Sequence, residues 1–127
     1  MPRAVISEAR TTTHIMKASN GVIYELREYR PVPGRIHALI RRFNDHVVKL
    51  LAKHDMELVF LSLTEFGANT MGEIVYVLKF DSYGELETKW KAFLADPEWR
   101  EAAKASEADG PLVASMHRRI LTTAPFV

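Results

Sequence analysis

An alternating segment that ends at two prolines and a glycine constrains the fold of this chain more than any other feature. Successive side chains of residues 23–30 fall on opposite faces of an extended segment, and one face carries Ile23, Glu25, Arg27 and Tyr29. Pro31 and Pro33 cannot donate to a strand ladder and Gly34 frees the backbone, so strand pairing ends there. The segment is therefore a predicted first strand that stops at a turn.

A helical period follows directly after this turn. From residue 35 to residue 54, apolar side chains recur at steps of three and four, which is the spacing of one helix face. The side chains off that face are expected in solvent, namely Arg41, Arg42, Asn44, Asp45, Lys49 and Lys53. Two strands are predicted next, at residues 56–66 and 74–80, with a turn at residues 67–72 between them.

A second helical region begins at Ser82, which has Glu85 three residues later in capping-box spacing. Its apolar face is predicted to be buried and consists of Tyr83, Leu86, Trp90, Phe93 and Leu94. Asp96 followed by Pro97 predicts another helix start, because aspartate is a preferred N-cap and proline a preferred first residue. Residues 114–122 are the last predicted strand, which carries His117, Arg118 and Arg119.

The order of these elements is βαββαβ, the ferredoxin-like motif of the α+β class. It predicts an antiparallel sheet in the order 4-1-3-2 with helices on one face, so the other face is bare. That bare face is expected to carry Val59, Leu61, Leu63, Val75 and Val77. Because an exposed apolar surface of this kind marks an interface, the sequence predicts a homodimer or a higher oligomer whose sheets face each other in a dimeric α+β barrel.

Length and composition set the class of protein. The chain has 127 residues, of which 47% are hydrophobic and 26% charged, as is typical of one globular domain. We interpret residues 1–20 as an N-terminal extension and residues 21–127 as the domain. The net charge of +1 disfavours a nucleic-acid partner, and no apolar run approaches the length of a membrane span. Because the chain has no cysteine, disulfides and thiolate sites are excluded, and we expect a cytoplasmic protein.

Three motifs, in order, resemble those of one family. They are Tyr24–Tyr29 with Pro33-Gly34 behind it, Phe80-Asp81-Ser82, and Phe93–Trp99. Together they are similar to the signatures of the NIPSNAP family, and the resemblance runs from about residue 22 to the C terminus. The resemblance implies a dimeric α+β barrel domain over residues 21–127. It also implies kinship with a barrel superfamily that includes cofactor-free monooxygenases, haem-degrading enzymes and stress-response proteins.

Polar side chains of the first and last strands are the candidate site, because these strands pair in the predicted topology. If Arg27 and Tyr29 share a face with His117 and Arg119, the barrel cavity has a cationic, hydrogen-bonding end. Arginine suits a carboxylate or an enolate, and histidine can carry a proton near neutral pH. The alternative is structural: Arg27 then pairs with a neighbouring glutamate, Glu25 or Glu28, and Arg119 faces solvent on an edge strand.

Aromatic and histidine side chains give weaker signals. Trp90 is predicted to pack in the core, whereas Trp99 is expected to cover the barrel end and to contact a ligand. His37, His46 and His54 are spaced by nine and eight residues, which is not the one-turn pairing of helical metal sites. We therefore predict no metal site and no cofactor.

The leading hypothesis is a homodimer that binds a small, largely apolar or aromatic ligand in a cavity. Arg27, Arg119 and Trp99 would contact the ligand. In its enzymatic form the protein is a cofactor-free monooxygenase or isomerase, with Arg27, Tyr29 and His117 as catalytic residues. The rival class is a non-catalytic homodimeric protein-interaction module, and the sequence leaves open whether the chain is an enzyme.

Overall fold

The computed structural model describes residues 21–67 and 72–126. Strand β1 (Ile23–Pro31) is followed by helices α1 (Ile36–Arg42) and α2 (Val48–Lys53) and by strands β2 (Glu57–Leu63) and β3 (Ile74–Phe80). Helices α3 (Tyr83–Ala95) and α4 (Pro97–Ser106) and strand β4 (Val113–Leu121) complete the fold. The predicted N-terminal extension, most of the predicted turn between β2 and β3, and the last residue lie outside the described residues.

The predicted sheet topology is confirmed. The strands form one four-stranded antiparallel sheet in the order β2-β3-β1-β4. The hydrophobic core lies between one face of this sheet and the helices, where Tyr76, Leu78 and Phe80 of β3 are almost fully buried. Burial of each such side chain stabilises the fold by roughly 1.5–3 kcal/mol.

A β-bulge in β2 changes which side chains lie on the bare face. The pairing of β2 with β3 shifts its register between Leu58 and Phe60. Because side chains alternate with a period of two, one extra residue exchanges the two faces for the rest of the strand. Phe60 therefore lies opposite Val77 on the bare face. The prediction that Leu61 and Leu63 lie there is wrong, since both line a groove on the helix side.

A π-helical turn (Phe43–Val47) joins α1 to α2, so the chain is helical without a break from residue 36 to residue 53. The predicted apolar face of this helix is confirmed, with Leu39 and Leu50 fully buried. Arg42 was expected in solvent, but it is only 7% exposed. It lies where the wider turn begins, and side chains from α4 and the residue after it cover it.

Both predicted helix starts are confirmed. The hydroxyl of Ser82 accepts a hydrogen bond from the Glu85 backbone at the start of α3, and the Asp96 carboxylate caps α4. The apolar face of α3 is only partly buried, because Tyr83 is 63% and Leu94 55% exposed. These two side chains line an open pocket beside β4. Within residues 21–67 and 72–126, no helix combines the length and the apolar character needed to cross a membrane.

Candidate functional site

The register of β1 with β4 divides the predicted site residues between two faces of the sheet. Arg27 pairs with Arg118, and both side chains, like that of Tyr29, lie on the face that the helices cover. His117 and Arg119 are one residue out of phase with Arg118 and therefore lie on the bare face. The two pairs therefore do not share a face, so they do not form together the cationic end of a cavity that depended on that condition.

On the bare face, Arg119 behaves as the structural alternative predicted. Its side chain is 65% exposed, on the edge strand, and its Nη2 lies 3.8 Å from the nearest carboxylate oxygen of Glu28. His117 is also exposed and pairs across the sheet with Glu28. These two side chains can therefore contact a ligand only at a site on the bare face.

A buried ion pair lies at the centre of the helix-covered face. Glu25 is fully buried and Arg27 is 8% exposed, and Arg27 Nη1 donates to Glu25 Oε2 at 2.8 Å. The indole Nε1 of Trp90 and the Nε of Arg118 each donate to the same carboxylate at 2.6 Å. Burying a charge is tolerated only when it is paired and hydrogen-bonded, and Glu25 satisfies both conditions.

The hydroxyl groups of Tyr29 and Tyr76 also accept hydrogen bonds from Arg27, whose Nη2 lies 3.1 Å from the Met116 sulfur as well. Its Nε donates to the Tyr76 hydroxyl at 2.7 Å and its Nη2 to the Tyr29 hydroxyl at 2.9 Å. The two hydroxyl oxygens lie 2.8 Å apart. Burial raises the pKa of Tyr76 well above its ordinary value, and the nearby Tyr29 raises it further. Tyr76 therefore remains a neutral phenol at physiological pH.

Arg27 keeps its charge for a related reason. Burial by itself lowers the pKa of Arg27, but the oxygens of Tyr76 and Tyr29 and the Glu25 carboxylate outweigh burial, so the pKa is raised. The ring of Trp90 adds to this environment, because the Arg27 Cζ lies 4.3 Å from its centroid in a cation–π contact. Arg27 is thus a fixed cation held between a carboxylate, two phenols and an indole.

Arg118 is the partly free cation of this cluster. Its Nε is held by Glu25, whereas its Nη1 and Nη2 make no hydrogen bond to any residue that the structure describes. The side chain is 45% exposed. Its planar end therefore remains available to an anion, which a guanidinium recognises with two parallel hydrogen bonds.

A pocket of about 500 Å³ lies beside this cluster, between α3 and β4. This α3–β4 pocket is lined by Arg27, Tyr83, Leu86, Glu87, Trp90, Leu94, Met116 and Arg118. Its volume falls within the range of about 300–1,000 Å³ that is usual for small-molecule sites. Most of the lining is apolar, and the guanidinium groups supply the polar end.

A smaller cavity of about 120 Å³ also borders Arg27 and Trp90. Tyr29, Tyr76 and Trp99 contribute to its lining, so the structure brings together three of the predicted site residues here: Arg27, Tyr29 and Trp99. Trp99 packs against the ring of Phe93, with 5.3 Å between centroids. The volume is below the usual range for a ligand site, so this cavity is an inner extension of the cluster rather than a ligand pocket.

The histidines of the first helix lie apart from the cluster. His37 is exposed, whereas His54 contacts the Asp96 carboxylate at 2.8 Å and its ring lies tilted beside that of Phe93, with 5.8 Å between the centroids. Across residues 21–67 and 72–126, no group of three or more His, Asp or Glu side chains is placed to hold a metal ion.

Sequence reasoning did not identify Glu25, Tyr76, Trp90 and Arg118 as site residues. The sequence does predict the position of Glu25, because an acidic residue two positions before Arg27 lies on the same face of the strand. The other contacts depend on tertiary packing: Trp90 is 65 residues from Glu25 in sequence, and Tyr76 is 49 from Arg27. Trp90 does pack against Phe93 as predicted for a core residue, but it also binds the ion pair.

Comparisons with solved structures agree with this fold. An uncharacterised NIPSNAP-like domain protein from Burkholderia xenovorans is 20% identical, with a TM-score of 0.74 over 86% of this chain and 90% of its own. A NIPSNAP family protein of unknown function from Agrobacterium tumefaciens is 26% identical, with a TM-score of 0.70 over 81% and 88%. A putative antibiotic biosynthesis monooxygenase from Caulobacter crescentus shares the fold at 14% identity and a TM-score of 0.56, over 83% and 92%.

The family itself follows from the sequence match. No curated protein matches the chain. The NIPSNAP family model, in contrast, matches residues 24–127, a span that runs from β1 past β4 and includes every residue of the buried cluster. The chain therefore belongs to the NIPSNAP family.

Proposed function

We propose that this protein binds a small aromatic carboxylate in the α3–β4 pocket. The observation that carries the proposal is Arg118, whose Nε is fixed on the buried Glu25 and whose side chain lines an apolar pocket of ligand size. Fixing one nitrogen orients the guanidinium before a ligand arrives, so less side-chain entropy is lost on binding. The aromatic part of the ligand would lie against Trp90 and Leu86.

The charges around the pocket favour an anionic group at one end only. Arg27 and Arg118 share the single buried carboxylate of Glu25, which leaves one positive charge in excess. Glu87 also lines the pocket, is exposed, and has no ion-pair partner among the described residues. A ligand with a carboxylate at Arg118 and a hydroxyl donor toward Glu87, such as a hydroxybenzoate, matches both ends.

In an enzymatic form of this proposal, the bound anion is a substrate rather than a final ligand. The substrate of such an enzyme needs a C–H bond beside its carboxylate, as in an arylacetate and unlike a hydroxybenzoate. Glu87, the carboxylate that lines the pocket, would accept the proton from that carbon, and Arg118 would stabilise the enolate that results. Behind Arg118, Tyr29 would supply a fixed hydroxyl dipole and Arg27 a fixed positive charge. His117 has no part here, because it lies on the other face.

The test is a titration of intrinsic tryptophan fluorescence with 4-hydroxybenzoate, using benzyl alcohol as a neutral analogue. Trp90 lines the pocket, so binding is expected to change its emission. Arg118→Met should weaken binding of the carboxylate by about 10- to 100-fold, the effect of losing one charge-assisted hydrogen-bonded pair. It should leave the weak binding of benzyl alcohol unchanged.

Arg119→Met is the matched control. It removes the same charge from the adjacent residue of the same strand, but on the opposite face of the sheet. Equal loss of affinity in both variants would show that only the general surface charge matters, and the proposal would fail. A saturating change in wild-type emission that survives Arg118→Met would likewise place the ligand elsewhere.

A second candidate function is suggested by the bare face of the sheet, which carries Phe60 at 47% and Val59 at 46% exposure next to Val77. We propose that two copies of the chain pair through this face and that the protein then acts as a homodimeric interaction module in the cytoplasm. An exposed aromatic beside aliphatic side chains is the usual composition of an interface centre. This proposal can hold together with ligand binding, because the two sites use opposite faces.

A further inference from the structure

A further cavity, with a polar lining, lies where α1 faces the end of α4. This α1–α4 cleft has a volume of about 320 Å³ and is lined by Arg35, Ala38, Arg41, Arg42, Asp45, His46, Ala105, Ser106 and Asp109. None of the residues assigned to the α3–β4 pocket is among them. The lining is mainly polar, in contrast to that of the α3–β4 pocket.

Arg42 is the fixed group of this cleft. Its Nη1 donates to Glu107 Oε2 at 2.9 Å and to Ser106 Oγ at 3.3 Å, and its Cζ lies 5.3 Å from the Trp99 centroid. Only 7% of the residue is exposed. These contacts hold one side of the guanidinium and leave the edge formed by Nε and Nη2 without a hydrogen-bond partner among the described residues.

Arg35 has the same incomplete pattern. Its Nε is buried and has no partner in the part of the chain that the structure describes, and its Nη2 lies 3.5 Å from the Gly110 carbonyl, a long contact. Buried N–H groups are almost always hydrogen-bonded in native proteins. Arg35 and Arg42 line one cleft and each keeps an Nε group without a partner among the described residues, so both have hydrogen-bonding capacity that a ligand partner with oxygen acceptors can use.

The remaining charges restrict what that partner can be. Arg41 and His46 add basic groups to the lining, whereas Asp45 and Asp109 add acidic ones and Glu107 already pairs with Arg42. A ligand with more than one anionic group would be repelled by the aspartates. A ligand that combines one oxyanion with hydroxyl groups would suit both the basic and the acidic side chains. Its oxyanion would accept from the arginines, and its hydroxyls would donate to the aspartate carboxylates.

We propose that the α1–α4 cleft binds a small hydroxylated oxyanion, held by Arg35, Arg41 and Arg42 and oriented by Asp45 and Asp109. The planar fork of arginine pairs with carboxylate and phosphate oxygens alike, so the shared chemistry is an oxyanion beside hydroxyl groups. The cleft volume lies at the lower end of the range for ligand sites, which suits a molecule of a few carbon atoms.

The test uses nuclear magnetic resonance of the full-length, isotope-labelled protein. Glycerate and glycerol 3-phosphate are titrated separately. Acetate, which lacks the hydroxyl groups, and glycerol, which lacks the oxyanion, are the control probes. The expected result is a saturable shift of the backbone amide signals of Ala38, Ala105 and Ser106 with glycerate, with glycerol 3-phosphate, or with both. Which of the two binds identifies the oxyanion as a carboxylate or a phosphate.

Three variants make the result specific. Arg35→Gln and Arg41→Gln should each weaken binding by about tenfold or more, the effect of about 1.4 kcal/mol. Lys49→Gln removes the same charge from an exposed position of the same helix, outside the cleft, and should leave binding unchanged. Arg118→Met should also leave it unchanged, which separates this site from the α3–β4 pocket.

Other outcomes overturn the proposal. Equal weakening by Lys49→Gln would mean general attraction to a basic helix. If acetate, which has no hydroxyl groups, binds as tightly as glycerate, the hydroxyls add no affinity and the aspartates have no role in binding. Absence of a saturable shift with glycerate and glycerol 3-phosphate at millimolar concentration would remove the site.

Discussion

Arg118 and Arg119 are consecutive in β4, yet one donates to the buried Glu25 carboxylate at 2.6 Å and the other lies on the opposite face of the sheet, near solvent. The strand alternation that separates them also separates two surfaces with different properties. One is a helix-covered pocket with a cationic end, and the other is a bare apolar face. Each can be perturbed by substitution without touching the other.

The buried carboxylate is expected to be the most sensitive position of the cluster. Glu25→Gln leaves Arg27 without its ion pair in a buried site, and loss of one partner of such a pair costs about 3–5 kcal/mol of unfolding free energy. Urea denaturation followed by circular dichroism measures this quantity. Glu28→Gln, on the other face of the same strand, should cost at most about 1 kcal/mol because its contact with Arg119 is long and exposed. Similar losses in the two variants would contradict this account.

The hydroxyls of Tyr29 and Tyr76 are expected to act as a unit. Each accepts a hydrogen bond from Arg27, and the two hydroxyl oxygens lie 2.8 Å apart. Removing either hydroxyl, by Tyr29→Phe or Tyr76→Phe, should cost about 1–2 kcal/mol. The double variant should differ from the sum by about 0.5 kcal/mol or more, since residues in one hydrogen-bond network are coupled. Strict additivity in the unfolding free energies would show that the hydroxyls act independently.

Asp96 is expected to make stability depend on acidity. Hydrogen bonds from Lys53, His54 and the Glu98 backbone hold the pKa of Asp96 well below its ordinary value of 3.8. The unfolded state therefore binds a proton first as pH falls, so the stabilisation is complete above about pH 4 and declines below it. Asp96→Asn should be less stable than the wild type at pH 7, and this difference should shrink as pH falls below 4.

The control for that titration is the other helix start. Ser82 caps α3 through a hydroxyl, which does not titrate in this range. Ser82→Ala should lose about 0.5–2 kcal/mol at every pH tested. Thermal unfolding between pH 7 and pH 2 distinguishes the two. A difference for Asp96→Asn that stays constant with pH would mean that its cap does not depend on charge.

The bare sheet face is expected to control association. Phe60→Asp places a charge among the apolar side chains of that face and should shift a homodimer to monomers in sedimentation experiments. Phe66→Asp is the matched control, because Phe66 is 81% exposed but lies beyond the end of β2. The homodimer proposal fails if the wild type is a monomer at micromolar concentration, or if both variants dissociate equally.

Most of the framework could be read from the sequence because it rests on local patterns. β3 begins and ends where its apolar run predicts, and Asp96 and Pro97 start a helix as their capping preferences indicate. The β-bulge could not be read, since β2 is apolar at every nearby position and alternation gives no register there. The bulge moves Leu61 to the other face, and so the composition of the bare face was partly mispredicted.

The candidate site was harder to predict than the fold because its contacts are long-range. Arg27 was identified, and the structural alternative of pairing with Glu25 is confirmed. The wrong partner on β4 was chosen because a shift of one residue exchanges Arg118 for Arg119. Exact strand pairing, rather than residue type, decides which arginine meets the carboxylate.

The π-helical turn has a consequence for chain length in the family. Its hydrogen bonds span one residue more than those of an α-turn, so the helix from residue 36 to residue 53 contains one residue that a regular helix between the same ends would not need. A relative that lacks this residue can keep both helix ends and the sheet unchanged. Single-residue gaps in family alignments should therefore fall near the exposed Asn44 and Asp45.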